Sequence, residues 1–169
     1  METKHSLRLS GVIGDSIVDG KGIRMTVFVQ GCPHHCPGCH NPQTHDFSGG
    51  YEDTVERLIQ KFKEDPLQCG VTLSGGEPFC QAEALSVLAS EVKALGKNVW
   101  VYSGYTFEEL VSGTIPFARE LLSYCDVLVD GRFLMEQRNL TLPFRGSENQ
   151  RLIDVQASLE QNKPVLYTL

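Results

Sequence analysis

The residues best able to do chemistry stand together in the run Cys32-Pro33-His34-His35-Cys36-Pro37-Gly38-Cys39. The spacing C-x3-C-x2-C lets three sulfurs close around one small inorganic object and leaves no obvious fourth protein ligand. A structural zinc site wants four protein ligands, whereas a reactive site keeps one position open. Two readings follow from the residues alone. One is a structural zinc site completed by Cys80, His34, His35, His40 or His45. The other is an iron–sulfur cubane, which binds thiolates at its iron corners. Cys32, Cys36 and Cys39 would cap three corners, and the fourth iron would stay open to a small chelating ligand.

These thiols need elements to hold them. Met25–Gln30 is β-branched and apolar and ends at Gly31, which predicts a buried strand feeding the cysteine loop. Before it, residues 7–13 alternate weakly and predict a first extended piece. Four glycines between Gly11 and Arg24 predict a loop, which does not match a nucleotide P-loop. Val55, Leu58, Ile59 and Phe62 at i, i+3, i+4 and i+7 predict a helix over 53–65, ended by Pro66. Gly70–Ser74 predicts a strand running into Gly75-Gly76-Glu77-Pro78. A helix over 81–95 stops at Gly96. Asn98–Tyr102 predicts a strand ending at Ser103-Gly104-Tyr105, and helical pieces follow over 107–111 and 116–124. A strand over 126–129 leaves through Asp130-Gly131-Arg132. Residues 139–149 read as irregular, and 151–169 as a short strand, a helical turn and a last strand at 165–168.

Strands alternating with helices imply parallel βαβ units. About six strands are too few for a closed eight-unit barrel of about 250 residues. The expected fold class is therefore α/β, an open partial (βα) barrel of about six parallel strands, forming a single domain over 1–169. In such folds the chemistry collects at the C-terminal ends of strands. The cysteine loop, Gly75-Gly76-Glu77-Pro78, Ser103-Gly104-Tyr105 and Asp130-Gly131-Arg132 all leave from such ends, which predicts one active site on a common rim.

Bulk properties narrow the classes. With 169 residues, 41% of them apolar, the chain is long enough to bury a core without staples. A net charge of −6 without a basic run makes the chain a poor candidate for binding nucleic acid by bulk phosphate neutralisation, with room only for a local basic pocket. Met1–Ser10 holds no apolar core of signal-peptide length. No stretch reaches the roughly 18 apolar residues of a membrane span. A cytoplasmic protein is expected, with no nucleic-acid and no membrane partner. Six cysteines in a reducing compartment then argue for metal or redox chemistry rather than a disulfide framework. Cys69, Cys80 and Cys125 read as plain thiols, and Phe62 and Trp100 as core.

The cysteine run, with Gly75-Gly76-Glu77-Pro78 downstream, resembles the radical S-adenosylmethionine superfamily. Within it, the chain is similar to the family of anaerobic ribonucleoside-triphosphate reductase activating proteins. The likeness runs through Gly31–Asn41, LSGGEP at 73–78, VLVDGRF at 127–133 and LTLPFRGSENQRLID at 140–154. Gly38 stands where many superfamily members carry an aromatic, a departure usual in this family. The resemblance implies that Cys32, Cys36 and Cys39 hold a [4Fe-4S] cluster. Its open iron is chelated by the amino and carboxylate groups of S-adenosyl-L-methionine. It implies an oxidoreductase that reductively cleaves that molecule to a 5′-deoxyadenosyl radical. The radical takes a hydrogen atom from a glycine of the glycyl-radical subunit of the reductase. A flavodoxin- or ferredoxin-type donor supplies the electron.

Site roles also follow from the resemblance. Gly75 and Gly76 lie by the methionine amino group, and Glu77 meets that ammonium or orients a network around it. Asp130 and Arg132 meet the methionine amino and carboxylate groups, as a guanidinium fork matches a carboxylate. Gly38, Cys39 and His40 lie against the adenine, and Ser103 lines the pocket. His34 and His35 are expected to be solvated or partner-facing. The segment Arg145–Arg151 is either a wall of the site mouth, a partner contact or a solvated loop. Alternative functions are activation of pyruvate formate-lyase, whose activases usually have a longer chain after the fourth strand; radical ring contraction in deazaguanine synthesis; and a non-catalytic zinc-binding interaction domain.

Overall fold

Strands β1 (Ser6–Ser16), β2 (Arg24–Val29), β3 (Tyr51–Thr54), β4 (Gly70–Gly75), β5 (Asn98–Tyr102), β6 (Val127–Asp130) and β7 (Arg151–Asp154) form one sheet in the order β3-β1-β2-β4-β5-β6-β7. The structure is a computed structural model that describes residues 5–169, so the first four residues of the Met1–Ser10 segment lie outside it. Four central strands, β2, β4, β5 and β6, run parallel. The outer strands β1, β3 and β7 are antiparallel to their neighbours. This corrects the expectation of about six parallel strands to a mixed sheet of seven. The reason is partly chain length: residues 17–23, between β1 and β2, are too few for a crossover, which needs about a dozen.

Helices α1 (Val55–Lys63), α2 (Ala82–Ala94), α3 (Phe107–Val111), α4 (Ala118–Ser123) and α5 (Val155–Gln161) accompany the sheet. Alternate strand residues Met25, Val27 and Val29, Val71 and Leu73, and Val99 and Val101 join the helix residues Leu58, Leu85, Leu88, Val92 and Leu121 in the main core. The period of two sends the other set to the opposite face. There Trp100, Val127, Val129 and Leu152 form a smaller cluster with Phe144 and Tyr167.

Two sequence expectations shift at the sheet edge. β1 continues to Ser16 through register shifts after Leu9 and Ile13, so the glycine-rich stretch is partly bulged strand and only residues 17–23 are loop. The short polar strand β3 precedes α1 and was not predicted. Its Thr54 then caps the helix, accepting the Arg57 N–H at 3.2 Å. At the C-terminus the strand expected at 165–168 reduces to one bridge between Ile153 and Leu166. Among the described residues, no helix is long and apolar enough to cross a membrane.

The 17–23 loop is drawn over the sheet by Arg24, which is fully buried. Its Nε donates to Thr72 Oγ1 at 2.7 Å, its Nη1 to Lys21 O at 3.0 Å and its Nη2 to Val71 O at 3.0 Å. The guanidinium also lies over Trp100, 5.6 Å from the ring centre. This cation closes the lower end of the sheet face whose upper end carries the site.

Candidate active site

The four loops leaving β2, β4, β5 and β6 line one open pocket of about 370 Å³. Short backbone bonds stitch them together. Gly31 N–H donates to Thr44 O at 2.7 Å and Cys32 N–H to His45 O at 3.2 Å, which closes the cysteine loop on itself. Gly76 N–H donates to Val29 O and Glu77 N–H to Gly31 O, both at 2.8 Å, which binds the loop after β4 to the loop after β2. Both glycines of that loop are required. Gly75 has φ +95°, and a Cβ on Gly76 would stand 2.3 Å from Gly31 O.

Cys32, Cys36 and Cys39 are free thiols, and all three line the pocket. Cys32 is buried and the other two are half-buried. Burial, assisted by the nearby charge of Glu77, pushes the Cys32 thiol above its ordinary value. Among the described residues, no group of three or more His, Cys, Asp or Glu converges on a single-ion site. The thiols face a shared space instead. Thiolates are the donors an iron–sulfur cluster takes, and this donor set fits one. Asn41 N–H donates to Cys39 Sγ at 3.4 Å, the kind of bond that orients a thiolate ligand.

Several expected site residues meet at this pocket: Cys39, His40, Gly75, Gly76 and Ser103 all line it. His40 tilts against Phe133, 5.1 Å between ring centres. Gly38 is exposed and lies outside the lining; its φ is +74°, and a Cβ there would meet Met135 Sδ at 2.4 Å.

Glu77 is placed differently from a residue that would touch a ligand ammonium. Its carboxylate is fully buried and outside the pocket lining. It accepts from Ser103 Oγ at 2.9 Å, Gly104 N–H at 2.8 Å and Phe79 N–H at 3.0 Å. His34 Nε2 faces it at 2.7 Å. The expectation that His34 is solvated is corrected: its side chain is 4% exposed, packed edge-on against Tyr105 and so close to Gly104 that a Cβ there would stand 2.4 Å from the ring. Glu77 thus ties the cysteine loop to the ends of β4 and β5. His35 is exposed.

Asp130 and Arg132 are not brought to the pocket. The Asp130 carboxylate is 1% exposed, accepts Phe107 N–H at 2.8 Å and is bridged by Arg151, whose Nε donates at 3.0 Å. That pairing, together with Glu108, pushes the Arg151 guanidinium above its ordinary value. Arg132 is exposed, and only its backbone carbonyl is engaged, by Asn149 Nδ2 at 2.8 Å. The arginine that does line the pocket is Arg145. Sequence reasoning left Arg145 undecided within a polar run and did not single out Asp19, also in the lining, or the anchoring role of Arg151. The one available signal was the density of polar residues between Arg145 and Arg151.

Comparison with known proteins agrees with this geometry. A family model for a 4Fe-4S single cluster domain matches residues 18–153. The anaerobic ribonucleoside-triphosphate reductase-activating protein of Haemophilus influenzae is 39% identical over 142 residues, covering 79% of this chain and 89% of that protein. The protein of the same name from Escherichia coli K12 is 34% identical, with 79% and 90% covered. That of enterobacteria phage T4 is 38% identical, with 80% and 86% covered. In fold alone, the chain is similar to a crystal structure of QueE from Escherichia coli, with a TM-score of 0.52 at 15% identity, covering 74% of this chain and 70% of that one. The free-thiol loop at the mouth of a four-loop pocket thus sits in a 4Fe-4S single cluster domain, and the chain belongs to the family of anaerobic ribonucleoside-triphosphate reductase-activating proteins.

Proposed function

We propose that the chain is the radical-generating activase of an anaerobic ribonucleoside-triphosphate reductase, acting in the cytoplasm as a single domain over 1–169. Cys32, Cys36 and Cys39 hold a [4Fe-4S] cluster, and the pocket beside them takes S-adenosyl-L-methionine. One observation carries this: three free thiols border a pocket built by three further strand-end loops, in a chain whose relatives bear that name. A cluster held by these thiols would supply the one-electron reduction of S-adenosyl-L-methionine from which the glycyl radical of the partner's subunit would derive.

The chain's own residues bind and orient. Gly75 and Gly76 bring bare backbone to the ligand, and Cys39, His40 and Ser103 form its walls. Gly38 turns the loop so that Cys39 faces inward. Glu77 holds the cysteine loop, and Asp130 holds Arg151, both from beneath the pocket. Four parallel strands with helices over one face support an open partial barrel, whose uncovered mouth admits a loop of the partner. A flavodoxin- or ferredoxin-type protein is the electron donor.

The test is reconstitution without oxygen. The loaded protein should carry four irons per chain and, once reduced, cleave S-adenosyl-L-methionine and raise a glycyl-radical signal in electron paramagnetic resonance with the cognate reductase. Cys36→Ala should lose the cluster and keep the fold, whereas a structural zinc site would unfold. A colourless wild-type protein with one zinc, or a loaded protein that yields no glycyl radical, would refute the function.

A further inference from the structure

The polar run Arg145–Arg151 has a structural use for every polar side chain but one. Ser147 Oγ donates to Asn149 Oδ1 at 2.6 Å and accepts Leu134 N–H at 3.2 Å. Asn149 Nδ2 donates to Arg132 O and Gln150 Nε2 to Gly131 O. Gln150 Oε1 accepts Gly146 N–H at 2.9 Å and Ser147 N–H at 3.2 Å. Glu148 accepts from Asn139 Nδ2, and Arg151 bridges Asp130 and Glu108. These bonds pin the loop to the chain leaving β6, so it is a fixed wall of the pocket.

Arg145 is the exception. Its Nε is buried with no hydrogen-bond partner, and its Nη1 reaches only Gln150 O, at 3.4 Å. It takes part in none of the ion pairs among the described residues. The backbone on either side is committed to holding it there. Phe144 sits at φ +60°, an unusual conformation for a bulky residue, anchored by its edge contact with Trp100 at 5.2 Å. Gly146 fits between Phe133 and His40 of the cysteine loop; a Cβ there would meet them at 3.0 and 3.4 Å. Arg145 therefore stands in the pocket wall, beside the Gly146 that packs on the cysteine loop.

A partly desolvated guanidinium with unused N–H groups is a receptor for a planar anion, and leaving such donors unmade is costly. S-adenosyl-L-methionine has one anionic group, its carboxylate. Resting on the function proposed above, the geometry points to Arg145 as the residue that takes the carboxylate of S-adenosyl-L-methionine, the role that the family resemblance implied for Arg132. Arg145 lies far along the chain from the cysteines and is brought beside them by the β6–β7 connection.

The test is a ligand-side and protein-side cycle read by equilibrium binding under anaerobic conditions. Cluster-loaded wild type, Arg145→Gln, Arg145→Lys and Arg132→Gln are each titrated with S-adenosyl-L-methionine and with its decarboxylated analogue. Arg145→Gln should weaken the first ligand about ten- to a hundredfold and leave the second within about twofold. Arg145→Lys keeps the charge without the fork and should give a smaller loss, again for the first ligand only. It also serves if the glutamine variant loses iron. Arg132→Gln should change neither ligand. Equal losses for both ligands, or unchanged affinity for S-adenosyl-L-methionine, would overturn the assignment and leave the function standing. If wild type binds no S-adenosyl-L-methionine at all, the function falls and the assignment with it.

Discussion

Removing the Glu77 carboxylate should loosen the cysteine loop and a large part of the fold with it. Five contacts converge on this fully buried group: two from Ser103 Oγ, one each from the backbone N–H of Phe79 and Gly104, and the His34 ring. Glu77→Ala leaves two backbone donors and the His34 ring without an acceptor. Each buried donor left unmade costs about 1–3 kcal/mol. Three such losses would sum to about 3–9 kcal/mol. Ser103 can turn its hydroxyl and a water can enter the space, so the net loss should fall near 3–5 kcal/mol rather than at the top of that sum. That is a fifth or more of the total for a domain with a stability of about 5–15 kcal/mol. Glu77→Gln keeps the shape and one acceptor, but its NH2 must face either Phe79 N–H or the His34 and Gly104 side. It should lose about 1–3 kcal/mol. Urea unfolding of the iron-free protein measures both, as a shift of midpoint at unchanged slope. Iron retention measured alongside should fall in the same order, because the loop carrying Cys32 and Cys36 loses its tether. If Glu77→Ala stays within about 0.5 kcal/mol of wild type, or glutamine is as damaging as alanine, the network does not hold the loop.

Gly104→Ala should destabilise by about 1–3 kcal/mol, because its Cβ would stand 2.4 Å from the His34 ring, which is buried and cannot swing aside. Gly11→Ala, with nothing within 4 Å of the new Cβ, should stay within about 0.5 kcal/mol; thermal melts of the pair test the steric account, and equal effects would refute it. Arg151→Ala should cost about 1–3 kcal/mol by leaving Asp130, 1% exposed, with Phe107 N–H as its remaining partner. The further change Asp130→Asn in that background should restore part of the loss, measured by urea unfolding as a double-mutant cycle.

Much of the site was legible because strand ends and cysteine spacing are local features. The apolar runs at 25–29, 70–73 and 98–102 could only be buried strands, and the loops after them had to emerge on one side once the strands were parallel. Those loops do meet around one pocket. The edge strands were less legible. β3 is four residues long and reads Tyr-Glu-Asp-Thr, with no apolar alternation to mark it; it exists because β1 offers an unpaired edge. The direction of β7 was invisible for a similar reason, since nothing within Arg151–Asp154 records which way its neighbour runs.

The roles of charged residues depended most on the fold. Asp130-Gly131-Arg132 looked like an acid and a base aimed at one ligand. In the antiparallel register Asp130 stands opposite Arg151, so its charge is taken by the next strand, and Arg132 falls two residues further on, outside the pocket. His34 looked like a surface residue of a loop, yet the convergence of three loop ends buries it against Glu77.

The sequence by itself determined the cysteine triplet, the loop that carries it and the strand-end rim on which that loop sits, because each is set by residues within a turn or a strand of one another. Only the tertiary structure decided which of several arginines faces the pocket, Arg145 rather than Arg132, and that Glu77 serves as an anchor beneath it. Those outcomes depend on strand register and on what lies across the space between loops. A charged side chain in a loop is directed by partners distant in sequence, and no local pattern encodes where they will be.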